Sequence, residues 1–258
     1  MFQRTVTICV WAPIFLAVIF LGSWPLRLLF IGLIMLGANE IKNMVEPAGI
    51  QIDLPAITLL SCATFFSQPF SELSLVWLFF GFLLFLFFKK VLLYPAFSLP
   101  SLAMNCFVAM YLIIPFWFAC DLRLGEDGLA WILVVSALTW SFDTFAYLGG
   151  YFFGKYHPFP EISPNKSVEG IIAGLLGSVS SMIIAALILQ QSILGFAIMG
   201  LFGGLTAQVG DLAESTIKRE YGVKDSGKLL PGHGGVLDRF DSYILVVFVV
   251  LIFKRFVL

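Results

Sequence analysis

Residues 170–210 read GIIAGLLGSVSSMIIAALILQQSILGFAIMGLFGGLTAQVG, and no charged side chain interrupts them. Backbone polar groups need internal partners in hydrocarbon, so a long apolar stretch crosses a bilayer as a helix of about 20 residues. This stretch holds two such helices, over 170–189 and 192–210. It predicts a pair of membrane-spanning helices.

The rest of the chain has the same character. Hydrophobic residues make up 60% of the sequence and charged residues 12%, against roughly a quarter charged in soluble domains. We therefore predict an all-α, polytopic transmembrane helical bundle with about nine spans and a charged catalytic loop on the cytoplasmic side. The seven further spans are expected at 5–22, 26–44, 54–70, 73–88, 102–120, 129–151 and 242–257.

Two stretches, the second apolar run and residues 91–120, leave the span count between eight and ten. The first apolar run resembles a signal peptide but lacks a small-x-small cleavage pattern, which favours a permanent span. The second carries Arg27 and Glu40. The uncharged stretch Val91–Cys120 is too long for one helix and contains three prolines.

The four cysteines lie in or beside apolar runs without CxxC spacing, which favours a packing role.

Lysine and arginine positions indicate the orientation. When the charged segment after residue 210 is placed in the cytoplasm, most of these cations also fall inside, as the positive-inside rule requires. We expect a single integral membrane domain over 1–258, with scaffold helices in 1–127 and a catalytic half in 128–258. The expected location is the bacterial inner membrane, with the active site facing the cytoplasm.

The charged segment, residues 210–241, reads GDLAESTIKREYGVKDSGKLLPGHGGVLDRFD. Asp211, Glu214, Ser215 and Lys218 share one face if the helix continues beyond 210. This combination of carboxylates, cations and a glycine-rich turn is typical of a site for metal-bound polyphosphate. A solvated helix end with intrahelical Glu–Lys pairs is the alternative.

The end of this segment contains two further carboxylates and the glycine-rich turn. Asp238 and Asp241 are three residues apart, and clustered carboxylates are typical Mg²⁺ ligands; capping of the last helix by Asp241 is the alternative. Gly234 and Gly235 follow His233 in a turn whose backbone amides can face an anion. We interpret His233 as a phosphate hydrogen-bond donor, against an ordinary turn histidine.

Asp143 lies inside the sixth predicted span, where an ionisable side chain is a functional candidate. Tyr147, Gly150 and Gly154 continue its helical face, although the glycines also suit close helix packing. Lys166 precedes the seventh span. It is interpreted either as a ligand of the shared site or as a positive-inside anchor.

These motifs resemble the phosphatidate cytidylyltransferases, also called CDP-diacylglycerol synthases. The similarity is strong over about 130–258 and before residue 120 rests on hydrophobicity and length. Ser167 and Val168 depart from the Thr and Trp expected after the lysine of the Ser-Pro-x-Lys loop. The matching elements are Ser215-x-Ile217-Lys218-Arg219, Lys224-Asp225, Gly227, Leu230-Pro231, His233-Gly234-Gly235, Asp238-Arg239-x-Asp241, Gly210-Asp211-Leu212-x-Glu214, Trp140-x-x-Asp143-x-x-Ala146-Tyr147 and Ser163-Pro164-x-Lys166.

The resemblance implies that CTP and phosphatidic acid give CDP-diacylglycerol and pyrophosphate. It implies Mg²⁺, with a second metal ion left open, held by Asp143, Asp211, Asp238 and Asp241. The implied catalytic residues are Asp211, Lys218, Arg219, Lys224, Asp225, His233, Asp238, Arg239 and Asp241. The implied substrate-binding residues are Tyr147, Ser163, Lys166, Ser167, Ser215, Gly234 and Gly235.

The expected partners are CTP, phosphatidic acid and the lipid bilayer, with a homodimer left open and no nucleic acid. The alternatives are another membrane CTP-dependent enzyme, either a lipid-alcohol kinase or a synthase for a different lipid phosphate, and a secondary transporter. A transporter would use an intramembrane Asp but has little need for a cation-rich segment with a glycine-rich turn. An inactive relative is disfavoured because every charged position of the motif is filled.

Overall fold

The computed structural model describes residues 13–66, 72–227 and 234–256, and within these ranges the chain is helical without β-strands. The prediction of an all-α fold is confirmed. Residues 13–21 are helical and are called α1. The other helices are α2 (Ser23–Val45), α3 (Leu54–Phe66), α4 (Glu72–Leu92), α5 (Leu99–Val108), α6 (Ile114–Leu124), α7 (Gly128–Phe153), α8 (Val168–Leu189), α9 (Ile193–Glu220) and α10 (Leu237–Phe256).

Six helical segments of the described chain are long and apolar enough to cross a bilayer, so the protein is an integral membrane protein. The count of nine spans is not confirmed. Helix α3 is described over 13 residues, and positions 67–70 of the predicted 54–70 span lie outside the described residues. Helix α10 begins at Leu237, not at 242. The start of the predicted 5–22 span lies outside the described residues.

The proline-containing stretch 91–120 forms more than one helical segment, as its length predicted. Helix α4 ends at Leu92, and α5 begins at Leu99 with the Ser98 hydroxyl accepting a hydrogen bond from the Ser101 amide. A π-helical turn, Ala109–Ile113, joins α5 to α6 without a break. Pro115 follows this turn. Because proline has no amide hydrogen and crowds the preceding carbonyl, a local π turn lets the helix continue past it.

The chain forms two compact units. The first comprises Met1–Asp121 and Asp225–Leu237, and the second comprises Leu122–Lys224 and Asp238–Leu258. In the first unit, α2 packs on α3, α3 on α4, and α4 on α5. Phe30 of α2 lies in its core against Phe65 and Phe116.

In the second unit, α7 packs along α8, and α8 packs along α9. Small residues make these approaches possible. A Cβ at Gly170 would lie 2.8 Å from the Ala146 carbonyl oxygen and 3.2 Å from the Gly150 Cα, too close for a side chain. Gly170 therefore serves helix packing. A Cβ at Gly150 would lie 3.4 Å from the Ser167 hydroxyl, an ordinary contact, so the packing alternative for Gly150 stays a prediction. The close contact brings the loop before α8 beside the end of α7 that carries Asp143.

Candidate functional site

A polar cavity of about 320 Å³ lies within the second unit. Helices α7, α9 and α10, the start of α8 and the loop before it all contribute to its wall. Its lining residues are Phe142, Asp143, Ala146, Tyr147, Asn165, Lys166, Ser167, Gly170, Ile171, Gln208, Asp211, Asp238, Arg239, Asp241 and Ser242. The structure thus brings together the four predicted metal-binding aspartates and several predicted substrate-binding residues.

Asp143 reaches this cavity from within a membrane-spanning helix. It belongs to α7, and it is exposed at the cavity wall. A carboxylate is costly in hydrocarbon, and such groups ordinarily face a bundle interior or a hydrated space. The placement of Asp143 follows that rule.

A close backbone approach brings Asp211 of α9 and Asp241 of α10 to one wall. A Cβ on Gly210 would lie 2.6 Å from the carbonyl oxygen of Asp241. The Ser242 hydroxyl donates a hydrogen bond of 3.2 Å to the Ala207 carbonyl on the same face of α9. Only glycine at position 210 leaves room for this crossing.

The capping alternative for Asp241 is wrong. Helix α10 begins at Leu237, so Asp238 lies in its first turn and Asp241 lies further along the helix. The Asp241 carboxylate accepts a 2.6 Å hydrogen bond from the amide of the next residue, Ser242. Both aspartates therefore project from a formed helix beside the cavity.

Lys166 pairs with Asp211 in the cavity wall. Its Nζ lies 2.6 Å from Asp211 Oδ2, and its side chain is only 16% exposed. A lysine that acted only as a membrane-interface anchor would extend its ammonium into water. Lys166 instead forms a charge pair with a predicted metal ligand, which favours its role in the shared site.

Lys218 forms a second cation–carboxylate cluster, next to the cavity. It pairs with Glu214 one turn earlier on α9, and its Nζ lies 2.5 Å from Asp238 Oδ1 on α10. Glu214, Ser215 and Lys218 are buried, so the interpretation as a solvated helix end is wrong, although the Glu–Lys pair itself exists. The cluster ties α9 to the first turn of α10.

Ser167 has a structural role in addition to its place at the cavity. It is the N-cap of α8, and its hydroxyl accepts a 3.2 Å hydrogen bond from the Gly170 amide. The Ser215 hydroxyl donates to Asp211 Oδ1 at 3.4 Å. Hydroxyls at these two positions hold the backbone and a carboxylate beside the cavity.

Other predicted site residues do not line this cavity. Arg219 is exposed and donates hydrogen bonds to the carbonyls of Ile162 and Val223. Lys224 and Asp225 are exposed, and Ser163 is partly buried. Gly234 and Gly235 belong to the first unit. His233 lies outside the described residues. The functional roles of all these residues stay predictions.

Gln208 is a cavity residue that the sequence motifs missed. It lies on α9 one turn before Asp211 and is 8% exposed. Its amide nitrogen is buried without a hydrogen-bond partner among the described residues, an arrangement that costs free energy in a folded protein. A polar side chain inside an apolar span, one turn from an aspartate, was the sequence signal available.

An exposed aromatic surface borders the cavity at the end of α7. It comprises Tyr147, Tyr151, Phe152 and Phe153, and the rings of Tyr147 and Tyr151 stack with centroids 6.3 Å apart. Tyr147 is also part of the cavity wall. Aromatic side chains are enriched where a membrane protein meets the lipid headgroups.

The charges at the cavity suit a cation bound together with an anionic ligand. Four aspartates and two cations, Lys166 and Arg239, line it. In the described part of the chain, no three Asp, Glu, His or Cys side chains converge on one point as a complete metal cage. Mg²⁺ commonly takes only one or two protein carboxylates and completes its shell with phosphates and water. The carboxylate set fits magnesium bound with polyphosphate.

Comparison with known proteins covers nearly the whole chain. The model of the cytidylyltransferase family matches residues 2–257. A phosphatidate cytidylyltransferase from Bacillus subtilis (strain 168) is 33% identical over 253 residues, covering 95% of this chain and 94% of that protein. One from Staphylococcus haemolyticus (strain JCSC1435) is 34% identical over 256 residues, covering 94% and 95%. One from Staphylococcus aureus (strain COL) is 41% identical over 152 residues, or 58% of each chain.

Proposed function

Because the chain belongs to the cytidylyltransferase family, we propose that it transfers the cytidylyl group of CTP to phosphatidate, giving CDP-diacylglycerol and pyrophosphate. The family match confirms the resemblance that the Ser215–Asp241 motif indicated. The observation that carries the proposal is the cavity in which Lys166, Arg239 and four aspartates meet within an integral membrane protein. Such a site suits two phosphate-bearing substrates, one of them a lipid.

The reaction needs charge control more than a general base. A phosphate monoester has its second pKa near 6, so the phosphatidate phosphate is already an anionic nucleophile at neutral pH. One of its oxygens attacks the α-phosphorus of CTP, and the bond from that phosphorus to the oxygen shared with the β-phosphate breaks. That oxygen leaves as a terminal oxygen of pyrophosphate. The main obstacle is repulsion between the two anions.

The cations of the cavity offset this repulsion. Lys166 and Arg239 hold phosphate oxygens and stabilise charge that develops during transfer. When a phosphate binds, Lys166 exchanges part of its interaction with Asp211 for the phosphate. Lys218 stays paired with Glu214 and Asp238 and keeps the Asp238 carboxylate in place.

Asp143, Asp211, Asp238 and Asp241 are the residues that would hold Mg²⁺. The bound ion would neutralise the triphosphate and align the nucleophile with the leaving group, the usual contribution of metals to in-line displacement. The excess of carboxylates over cations at the cavity supports this assignment.

The lipid enters from the side of Tyr147. The aromatic surface of Tyr147, Tyr151, Phe152 and Phe153 suits the headgroup level of a bilayer, and Tyr147 connects that surface to the cavity.

The cavity faces the cytoplasm, where CTP is made, and the relatives' bacterial origin supports placement in the inner membrane.

One assay tests the proposal. The purified protein receives CTP labelled in the cytosine ring and phosphatidic acid in detergent micelles, with and without Mg²⁺. We expect labelled CDP-lipid and pyrophosphate in equal amounts, only when Mg²⁺ is present. Release of CDP would instead indicate a lipid kinase. Unchanged CTP under all conditions, from monodisperse protein, would refute the proposal.

A further inference from the structure

Glu40 is a buried carboxylate in α2 of the first unit, with 5% of its surface exposed. It accepts three hydrogen bonds from a segment nearly two hundred positions later in the chain. The Ser226 hydroxyl donates to Oε2 at 2.9 Å, the Val236 amide to Oε1 at 2.7 Å and the Leu237 amide to Oε2 at 3.0 Å. One side chain thus holds this segment at two separate points.

Two of these donors belong to the start of α10. Leu237 is its first residue, and Val236 directly precedes it. The first amides of a helix lack intrahelical partners, and a carboxylate there is favoured by both hydrogen bonding and the helix dipole. Glu40 therefore caps α10 from another helix. The next residue along the chain is Asp238.

Two glycines lie directly against this carboxylate, where there is no room for a side chain. A Cβ at Gly227 would lie 2.7 Å from Glu40 Oε1, and a Cβ at Gly235 would overlap both the Glu40 carboxylate and the Ser226 hydroxyl. Neither glycine has a φ in the left-handed region. The two positions need glycine because Glu40 occupies the space that a side chain would take.

We propose that Glu40 is a positioning residue for cytidylyl transfer: it fixes the backbone at Ser226 and at Val236–Leu237, and so fixes the first residue of α10, to which Asp238 is directly bonded. The inference rests on the function proposed above. It assigns a task to the N-terminal half of the chain, whose apolar helices otherwise suggest a scaffold. A buried carboxylate that serves stability alone is the competing explanation.

Glu40→Gln tests this proposal, with Glu46→Gln, an exposed position one and a half turns later, as the matched control. The Gln amide presents a donor to groups that are themselves donors. Hydrogen bonds to charged acceptors are strong enough that we expect kcat per folded molecule to fall at least about tenfold. We expect faster hydrogen exchange at the amides of Val236 and Leu237. Glu46→Gln should change neither quantity.

Ser226→Ala decides the matter if Glu40→Gln does not fold, since it keeps the carboxylate and removes one donor. We expect a smaller fall in kcat, about threefold, with faster exchange around residue 226. An unchanged kcat per folded molecule in the variants that fold, even with faster exchange, would make Glu40 purely structural and overturn the proposal. If the wild-type protein forms no CDP-lipid, the proposed function fails instead, which is a separate result.

Discussion

Lys166 and Asp211 form an ion pair in the wall of the polar cavity, with Nζ and Oδ2 2.6 Å apart. The pair joins the loop before α8 to a carboxylate on α9. Each charge offsets the desolvation of the other while no phosphate is bound. Under the proposed function, Asp211 holds the metal and Lys166 holds a phosphate. Variants at the two positions should therefore have different consequences.

Asp211→Asn should abolish CDP-lipid formation while the protein still inserts and folds, because the change removes a proposed metal ligand without altering apolar packing. Partial rescue by high Mg²⁺ is expected for a weakened ligand. Initial rates over a Mg²⁺ titration measure this effect. Glu126→Gln, an exposed carboxylate outside the cavity lining, should leave the rates unchanged. Normal turnover by Asp211→Asn would rule out its assignment as a ligand.

Lys166→Ala should raise the apparent KM for a substrate by about tenfold or more, since charge-assisted hydrogen bonds contribute about 1.5–3 kcal/mol. The effect of Lys166→Ala on substrate binding should be larger than its effect on the stability of the fold. Lys155→Ala, an exposed cation before the same helix, is the matched control. If Lys166→Ala mainly reverses topology or prevents folding, the membrane-anchor interpretation is correct.

Lys218→Met should be the most destabilising of these changes. Lys218 lies between Glu214 and Asp238, whose side chains are only 3% and 11% exposed. Loss of one partner from a buried ion pair costs about 3–5 kcal/mol. We expect the apparent unfolding temperature in detergent to fall by roughly 10 °C.

The double variant Lys218→Met/Glu214→Gln should recover part of that loss, because one of the two uncompensated carboxylates is then neutral. Lys224→Met, an exposed cation, should leave the unfolding temperature unchanged. A single variant that is as stable as the double variant would contradict the buried-cluster explanation.

The sequence predicted most of the second unit because its signals are local. Apolar runs predicted α7, α8 and α9. The predicted span ended at 210, and the shared face of Asp211 and Lys218 depended on a continuation of the helix, which α9 makes by extending to Glu220. Asp143 was identified as a candidate because an ionisable side chain is rare inside a membrane span. The start of α10 was misplaced because Leu237–Asp241 is too polar to read as part of an apolar run.

Other features depend on partners that are distant in the chain. Glu40 looked like a defect in an apolar span, and its role becomes visible only when Ser226 and Val236 are placed against it. Gln208 has no motif of its own, and its significance comes from its burial at the cavity. No pattern within a few residues carries such information.

Gly210→Ala should impair activity through geometry alone. The added methyl would lie 2.6 Å from the Asp241 carbonyl oxygen, which is backbone and cannot rotate away. Overpacking of this kind costs about 1–3 kcal/mol and should shift α10 relative to Asp211. Gly32→Ala, where a Cβ would meet no atom within 4 Å, is the control. Equal kcat in both variants would show that the α9–α10 crossing tolerates displacement.

The proposed orientation predicts a definite labelling pattern in a cysteine-free background. Asn165→Cys and Glu220→Cys, both at exposed positions, should react with a membrane-impermeant maleimide only after inside-out vesicles are prepared or the membrane is opened. Glu126→Cys, in the turn between α6 and α7, should react in intact cells, because α7 alone separates it from the Asn165 loop. The Asn165 loop and the end of α9 at Glu220 must both open to the cytoplasm if CTP is to reach Lys166 and Asp211 from the compartment in which it is made. Labelling of Asn165→Cys in intact cells would therefore contradict the cytoplasmic site, even if the purified enzyme forms CDP-lipid.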